Sequence, residues 1–350
     1  MMTTPSLQFS TTSYVYDEYD NGSETDVFPA DTNTNSVGAQ LSVLYYCMFM
    51  FSVGANALVL VIICRFERLT TVTNILLLNL VLSSLVFMGT LPFWGVYQQL
   101  QTWVFGRVMC KVVISVYYLG LYSSVLFLTL LTFDRHLAVV YSLGASRLRG
   151  QRYAVVSCAT VWTLSALACI RPIILHSPFY HRVSKRTHCQ EYPGNRTDVD
   201  VDLLRASGFY IQLFLFLLFP LVVIIYCYAR IAVTVLSSRI ATKFQTVRLI
   251  FVIVLLFLLC WTPFNVAVLM RDKASTPAER QEWDHVLNVT RYFAYFYCCI
   301  SPIFYTFVGK KFQNYFRTLL VKRFPRLKRY ISVSHVTRTN MSTRSTPNEL

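Results

Sequence analysis

Charged residues are scarce in this sequence of 350 residues. Asp, Glu, Lys and Arg make up 14% of the chain, whereas 55% of it is hydrophobic. A soluble domain of ordinary composition carries about 25% charged residues. The few charges are also segregated, since no Lys or Arg precedes Arg65. Long apolar runs between sparse charges indicate an integral membrane protein.

The first 40 residues lack the basic start and the apolar core of a signal peptide, so we expect the first apolar run to act as the targeting signal. The alternating ten-residue segments of a membrane barrel are also missing. Instead, seven apolar runs are long enough to cross about 30 Å of hydrocarbon as helices of about 20 residues. They lie at 41–64, 75–97, 108–133, 153–175, 208–236, 247–270 and 287–308.

Basic residues predict how the chain is oriented. With residue 1 outside, the inner segments hold 20 of the 32 Lys and Arg and only 3 of the 17 acidic residues. The positive-inside rule then places the N-terminus outside the cell and the C-terminus in the cytoplasm, in the plasma membrane. The net charge of +15 is therefore expected to face membrane lipid headgroups and not nucleic acid.

These patterns predict an all-α fold, a seven-transmembrane helix bundle with a short amphipathic eighth helix. Residues 1–40 form an extracellular acidic tail and 41–308 form the bundle. Residues 309–324 form a helix on the inner membrane surface, since their apolar residues repeat at helical spacing. Residues 325–350 are polar and rich in Ser and Thr, and we expect a disordered cytoplasmic tail.

Six of the seven runs carry polar or proline features that a plain membrane anchor does not need. Mid-span prolines kink helices, and an Asp-Arg pair at the edge of hydrocarbon is costly unless it is paired or functional. Any one of them alone is ordinary packing, but the ordered set is not expected by chance. In chain order they are Gly54-Ala55-Asn56, Asp134-Arg135-His136, Trp162, Pro220 with Tyr228, Cys260-Trp261-Thr262-Pro263 and Ser301-Pro302-Ile303-Phe304-Tyr305.

This set resembles the rhodopsin-like family of G-protein-coupled receptors over roughly residues 40–322. The resemblance implies that Arg135 meets the G protein, that Trp261 is a switch under a ligand pocket, and that Tyr305 swings inward on activation. The residues implied in coupling and activation are Asp134, Arg135, Tyr228, Trp261, Pro263, Pro302 and Tyr305.

Within that family, four segments are similar to chemokine receptors: Thr90–Trp94, Trp103–Gly106, Asp134–Val140 and Cys298–Pro302. Leu121-Tyr122-Ser123-Ser124 and Arg291 are most similar to receptors for C-type chemokines (lymphotactin). The resemblance implies a chemokine ligand, a heterotrimeric G protein of the inhibitory class, arrestin as a further partner, and a role in chemotaxis and the immune response. No enzymatic activity is expected, since the apolar runs contain no His-Glu-x-x-His, paired Asp or Gly-x-Ser motif, and no cofactor or metal is expected.

The resemblance also implies a disulfide between Cys110 and Cys189, which face the oxidising exterior. The second bridge of most chemokine receptors cannot form, since residues 1–46 and 271–288 contain no Cys. We therefore expect the N-terminal tail to be tethered only by its helix. The expected glycosylation sites are Asn21 and Asn195.

The acidic tail has two interpretations. It holds six acidic residues, no basic residue, and three tyrosines among the acids. It is either a merely solvated segment or an electrostatic lure for a basic protein, sharpened by tyrosine sulfation. The second interpretation gives a set of ligand-binding residues in the tail and the bundle: Tyr14, Tyr16, Tyr19, Trp94, Tyr117, Trp261 and Arg291.

Some positions depart from the family pattern. Ser84 replaces the acid that binds sodium, and Arg291 replaces a Glu that meets the amino terminus of many chemokines. With Lys111 and Arg171, Arg291 makes the upper bundle basic, so the inserted segment should carry an acid or neutral acceptors. His136 replaces a Tyr, while Arg135 remains. The retained Arg favours signalling, and a scavenging receptor that internalises chemokine without signalling stays the alternative.

Overall fold

The computed structural model describes residues 18–19, 32–66, 71–141, 149–182, 185–191, 200–237, 241–274, 276–308 and 310–324. Helices dominate this part of the chain. They are α1 Thr32–Phe66, α2 Val72–Met88, α3 Leu91–Leu100, α4 Gly106–Val140, α5 Gln151–Ala168, α6 Ile170–Leu175, α7 Val201–Tyr210, α8 Phe219–Ser237, α9 Ala241–Lys273, α10 Pro277–Val308 and α11 Lys310–Arg323. A π-helical segment, Ile211–Leu218, joins α7 to α8.

The seven predicted spans correspond to these helices in order, which confirms the fold class. The first, third, sixth and seventh spans are α1, α4, α9 and α10. The second is α2 with α3, the fourth α5 with α6, and the fifth α7 through α8. Among the described residues, five stretches are long and apolar enough to cross a membrane: Ser42–Arg65, Val72–Leu100, Gly106–Val140, Gln151–Leu175 and Leu203–Thr234. The sixth span contains a shorter apolar stretch, Leu255–Arg271.

The helices extend past the apolar runs because helix formation continues into water until a breaker or turn intervenes. Helix α1 begins at Thr32, well before the predicted residue 41, and the nearest proline upstream is Pro29. Helix α11 lies where the eighth helix was predicted. Residues 325–350 lie outside the described residues.

Three spans are interrupted close to a proline, and the fourth span is broken at Cys169, between α5 and α6, three residues before Pro172. In the second span, α2 ends at Met88 and α3 begins at Leu91, with Pro92 in its first turn. The Thr90 hydroxyl donates to the Phe87 carbonyl over 2.8 Å, which supplies a partner at the break. In the fifth span, the π-helical segment lies just before Pro220. Such segments are frequent at functional sites.

Helix α4 is the centre of the bundle and contacts α2, α5 and α8. It approaches α2 closely at Gly120, where a Cβ would lie 2.4 Å from the backbone nitrogen of Phe87. Phe87 itself is fully buried. The Trp162 indole donates to the Asn79 side chain over 2.9 Å and ties the fourth span to the second. Only glycine permits this close α2–α4 contact. The contact positions Phe87 under the outer end of the bundle.

A small sheet lies outside the helices, which the all-α prediction did not include. Strands β2 His176–His181 and β3 Arg186–Glu191 form an antiparallel hairpin. Strand β1, Glu18–Tyr19, pairs with β2 in parallel, with Tyr19 opposite His181. The pairing of β1 with β2 is a second tether, so the expectation that the tail is tethered only by its helix is wrong. An edge strand can accept a further strand through backbone hydrogen bonds alone.

Candidate functional site

A cavity of 490 Å³ lies at the end of the bundle that carries the hairpin. Residues from all seven spans and from the hairpin line it. Trp94, Tyr117 and Arg291, which were predicted to bind ligand, are among them. We refer to this space as the outer cavity. Its size and its mixed aromatic and charged lining suit part of a ligand and not a whole protein.

Trp261 was predicted to bind ligand as well, but it does not line the outer cavity. It is 2% exposed and lies one layer deeper, with its ring 6.1 Å from Phe87 and 5.9 Å from Phe264. Phe87 in turn lies 5.1 Å from Tyr117, which does line the cavity. An occupant of the outer cavity would therefore contact Tyr117 or Phe264 and not Trp261 itself.

Two acidic residues line the outer cavity in the part of the chain that the structure describes, and both are ion-paired. Glu191 lies 2.6 Å from Arg205 and 3.9 Å from Arg171. Asp284 pairs with Arg271. Burial raises the pKa of Glu191, but the Arg205 hydrogen bond and the Arg171 charge outweigh it and leave that pKa below its ordinary value. Glu191 is therefore a carboxylate at neutral pH.

Arg171 owes its position to a glycine. A Cβ on Gly208 would lie 1.9 Å from the Arg171 Nε, so only glycine leaves room for the guanidinium against α7. Arg171 Nε also donates to the Leu204 carbonyl over 2.9 Å. Lys111 donates to the carbonyls of Ile173 and His176, at 2.5 and 3.1 Å. Lys111 therefore ties α4 to the α6–hairpin junction, and Arg171 ties α6 to α7.

Arg291 differs from the other basic residues near the cavity in its hydrogen bonds and ion pairs. Its Nε is buried and has no hydrogen-bond partner. Tyr117, Tyr295 and Tyr45 are close enough to interact electrostatically with its guanidinium. Among the described residues, no ion pair joins Arg291 to a carboxylate.

The hairpin covers the outer cavity and is fixed at several points. The predicted disulfide between Cys110 and Cys189 is confirmed and ties β3 to the start of α4. The Trp103 amide donates to the Thr187 carbonyl over 2.8 Å, and the Tyr97 hydroxyl lies 2.8 Å from His188 Nδ1. The side chains of His188 and Glu191 thereby face the cavity on a fixed support.

The floor of the outer cavity contains a polar link that sequence reasoning missed. The Gln212 amide donates to the side chain of Asn265, and Asn265 donates to the Trp261 carbonyl over 2.8 Å. Gln212 and Asn265 are 8% and 3% exposed. Gln212 stands in the π-helical segment, which changes the helical phase and turns this side chain toward α9. Pro220, which closely follows this segment, is the sequence feature that could have indicated an irregular helix here.

At the opposite end of the bundle, Asp134 is fully buried at the inner end of α4. Arg149 binds it through two hydrogen bonds, and the Thr73 hydroxyl donates to it over 2.8 Å. Arg135, the next residue, is half-buried. The sequence singled out Asp134 and Arg135 but not Arg149 or Thr73.

The remaining predicted residues are placed as follows. Tyr228 is half-buried on α8, and Pro263 lies inside α9. Pro302 and Tyr305 belong to α10, but their side chains are not described. Tyr19 lies in β1. Tyr14, Tyr16, Asn21 and Asn195 lie outside the described residues.

Comparison with known proteins assigns the family. Residues 55–305 match the family model described as 7 transmembrane receptor (rhodopsin family). The chain is 36% identical over 318 residues to the C-C chemokine receptor type 1 of Homo sapiens, with 88% of each chain covered. It is 37% identical over 280 residues to the C-C chemokine receptor type 3 of Macaca mulatta, covering 78% of this chain and 77% of that receptor.

A viral receptor shows a similar relationship: the G-protein coupled receptor E1 of Equine herpesvirus 2 is 34% identical over 311 residues, covering 86% of this chain and 79% of that receptor. The C-type subgroup stays a prediction. The family description agrees with the seven-helix bundle. The chain belongs to the chemokine receptors of the rhodopsin family, and it is a multi-pass plasma-membrane receptor with an extracellular N-terminus and not an enzyme.

Proposed function

We propose that this receptor binds a small basic chemokine outside the cell and activates a heterotrimeric G protein of the inhibitory class inside it, driving chemotaxis. One observation carries the proposal: helix α4 extends from the outer cavity to the inner end of the bundle. Its outer half contributes Tyr117 to the outer cavity, and its inner end carries Asp134 and Arg135. A ligand and a G protein can therefore act on one rigid element.

The aromatic contacts between these ends support signalling. Tyr117 contacts Phe87, Phe87 contacts Trp261, and Trp261 contacts Tyr297 of α10 at 6.4 Å. Packed rings of this kind have discrete arrangements, which is what a two-state receptor needs. A receptor that only captures chemokine for uptake does not need a continuous series of packed rings through the bundle. The retained Arg135 favours the same conclusion over the scavenging alternative.

Two further partners belong to this proposal. Arrestin would bind the Ser- and Thr-rich segment 325–350 after phosphorylation, which adds about −1.5 to −2 charges per site near neutral pH. Membrane lipid would bind α11, whose basic residues include Lys310, Lys311 and Arg317. Asn21 and Asn195 would carry glycans on the outside.

The test uses cells that express the receptor and a panel of purified basic chemokines. Arg135→Ala should abolish inhibition of cyclic AMP while leaving chemokine binding nearly intact. Arg152→Ala, an exposed arginine at the start of α5, is the matched control and should signal normally. Arrestin recruitment is recorded on the same cells at matched surface expression. Undiminished cyclic AMP inhibition by the Arg135→Ala receptor would contradict the signalling proposal.

A further inference from the structure

We propose that the outer cavity receives an anionic group of the ligand on Arg291, namely a side-chain carboxylate of the inserted segment. The inference rests on the proposed function, because it names the chemical class of the group that enters the same cavity. The inference follows from the charged residues that line the outer cavity.

The cavity wall contains three arginines, Arg171, Arg271 and Arg291, but two acids. Arg171 shares Glu191 with Arg205, and Arg271 binds Asp284. Both acids are thus neutralised by other cations in the described part of the chain. One positive charge on the wall is therefore left over, and it is on Arg291.

The surroundings of Arg291 make this excess charge costly. Its Nε is buried and has no hydrogen-bond partner. A buried charged donor without an acceptor loses the favourable free energy of its hydration and gains no hydrogen bond in exchange. An ionisable residue inside a membrane span is rare unless it is paired or functional. A carboxylate from a ligand would supply the missing acceptor and the missing charge together, and a guanidinium binds carboxylates through two parallel hydrogen bonds.

The tyrosines around Arg291 select the same class of group. Tyr45, Tyr117 and Tyr295 interact electrostatically with the guanidinium. Their hydroxyls can donate hydrogen bonds to a carboxylate as well, whereas a ligand ammonium would meet the charge of Arg291. The pocket around Arg291 is therefore complementary to an anion and repels an amino terminus.

Occupation of this pocket would be felt deeper in the bundle. The rings of Tyr117 and Tyr295 lie 5.1 and 5.4 Å from that of Phe87, and Phe87 lies 6.1 Å from Trp261. A carboxylate on Arg291 would press on the first layer of these rings. Arg291 should therefore govern the maximal response more than the initial capture of ligand.

The first experiment needs no chemokine. Purified receptor in detergent is titrated with N-acetyl-aspartyl-glycine amide and with its asparaginyl analogue at millimolar concentration, and the melting temperature is recorded. The aspartyl peptide should raise the melting temperature of the wild type and of Arg152→Gln, but not that of Arg291→Gln. Arg291→Gln alone should melt no lower than wild type, because it removes an uncompensated charge. Equal shifts with both peptides, or an unchanged shift in Arg291→Gln, would overturn the inference.

The second experiment uses each chemokine of the panel that activates the wild type, with the acidic residues of its N-terminal segment replaced one at a time by Asn or Gln. One replacement should lower potency at least tenfold on wild type and have no effect on Arg291→Gln. Arg291→Lys, which keeps the charge but not the two-pronged geometry, should be intermediate. If chemokines activate the wild type but no replacement matters, this inference fails and the proposed function stands. If no chemokine activates it, the proposed function fails and the peptide titration still decides the inference.

Discussion

Arg149 binds Asp134 at two points: its Nε lies 2.7 Å from Oδ1, and its Nη2 lies 2.8 Å from Oδ2. The Asp134 side chain is fully buried and that of Arg149 is 23% exposed. The Thr73 hydroxyl of α2 completes the site. The carboxylate at the inner end of α4 is thus held by the segment before α5 and by α2, which fixes three spans relative to one another.

Arg149→Ala should destabilise the purified receptor by roughly 2–3 kcal/mol, because hydrogen bonds to charged groups contribute about 1.5–3 kcal/mol and a buried charge is left behind. Adding Asp134→Asn should recover part of the loss, since the charge that Arg149 compensates is then gone. The measurement is thermal melting in detergent, with Arg152→Ala as the control. Simple additivity of the two changes would show that the pair is not coupled.

The importance of Asp134 could be predicted from the sequence, but its partner could not. Apolar length and an Asp-Arg pair place Asp134 at the end of a span, whereas the return of Arg149 depends on how the connection folds. The same limit applies to the contacts of Trp261. The resemblance places it under the pocket, but the rings of Phe87 and Phe264 that separate it from the cavity depend on packing. The hairpin was missed because His176–Glu191 mixes charged, aromatic and proline residues without the strict alternation that marks a strand.

Cys110→Ala and Cys189→Ala should each remove ligand binding, and the double variant should be no worse than either single one. The bridge ties β3, and with it His188 and Glu191, to α4 beside the outer cavity. Losing either sulfur frees the same hairpin, so the second loss adds nothing. Binding of an activating chemokine at equal surface expression is the measurement. A further decrease in the double variant would contradict a shared role.

Acidification should destabilise the receptor through His176. Burial, together with the charges of Arg171 and Lys111, lowers the pKa of His176 to about 4, against the opposing effects of Glu191 and of the hydrogen bond to Pro172. The unfolded chain therefore takes up the proton first, near pH 6.5, so stability is present above that pH and is lost as the pH falls toward 4. By pH 5 the loss from this group is roughly 2 kcal/mol.

The measurement is the melting temperature between pH 7 and pH 5 for the wild type and His176→Asn. The Asn amide can still donate to the Pro172 carbonyl, which lies 2.9 Å from His176 Nδ1, but it does not titrate. His176→Asn should therefore flatten the pH dependence. His285→Asn changes an exposed histidine and should keep the wild-type profile. An unchanged slope in His176→Asn would rule out His176 as the source.

Glu18→Pro should slow chemokine association more than Glu18→Gln does. Both changes remove the carboxylate, but only proline also removes a backbone donor from β1, whose two residues pair with Tyr180 and His181. Loss of this pairing releases the tail from the hairpin edge and enlarges the space that it samples. Association rates measured at physiological salt on immobilised receptor test this. Identical rates for the two variants would show that the strand does not position the tail.

Replacing Tyr14, Tyr16 and Tyr19 with Phe should slow chemokine association and leave the maximal response at saturating ligand nearly whole. The change removes any sulfate but keeps the rings, the six tail acids and the backbone of β1. Exposed charges act over a Debye length of about 8 Å at physiological salt, so the difference between wild type and variant should shrink as salt rises. Arg291→Gln is the complementary variant, because Arg291 lines the cavity and lies outside the tail. It should spare the association rate and lower the maximal response. If the triple variant associates at the wild-type rate at low salt, sulfation contributes nothing to capture, and only the acidic side chains of the tail could then attract the ligand.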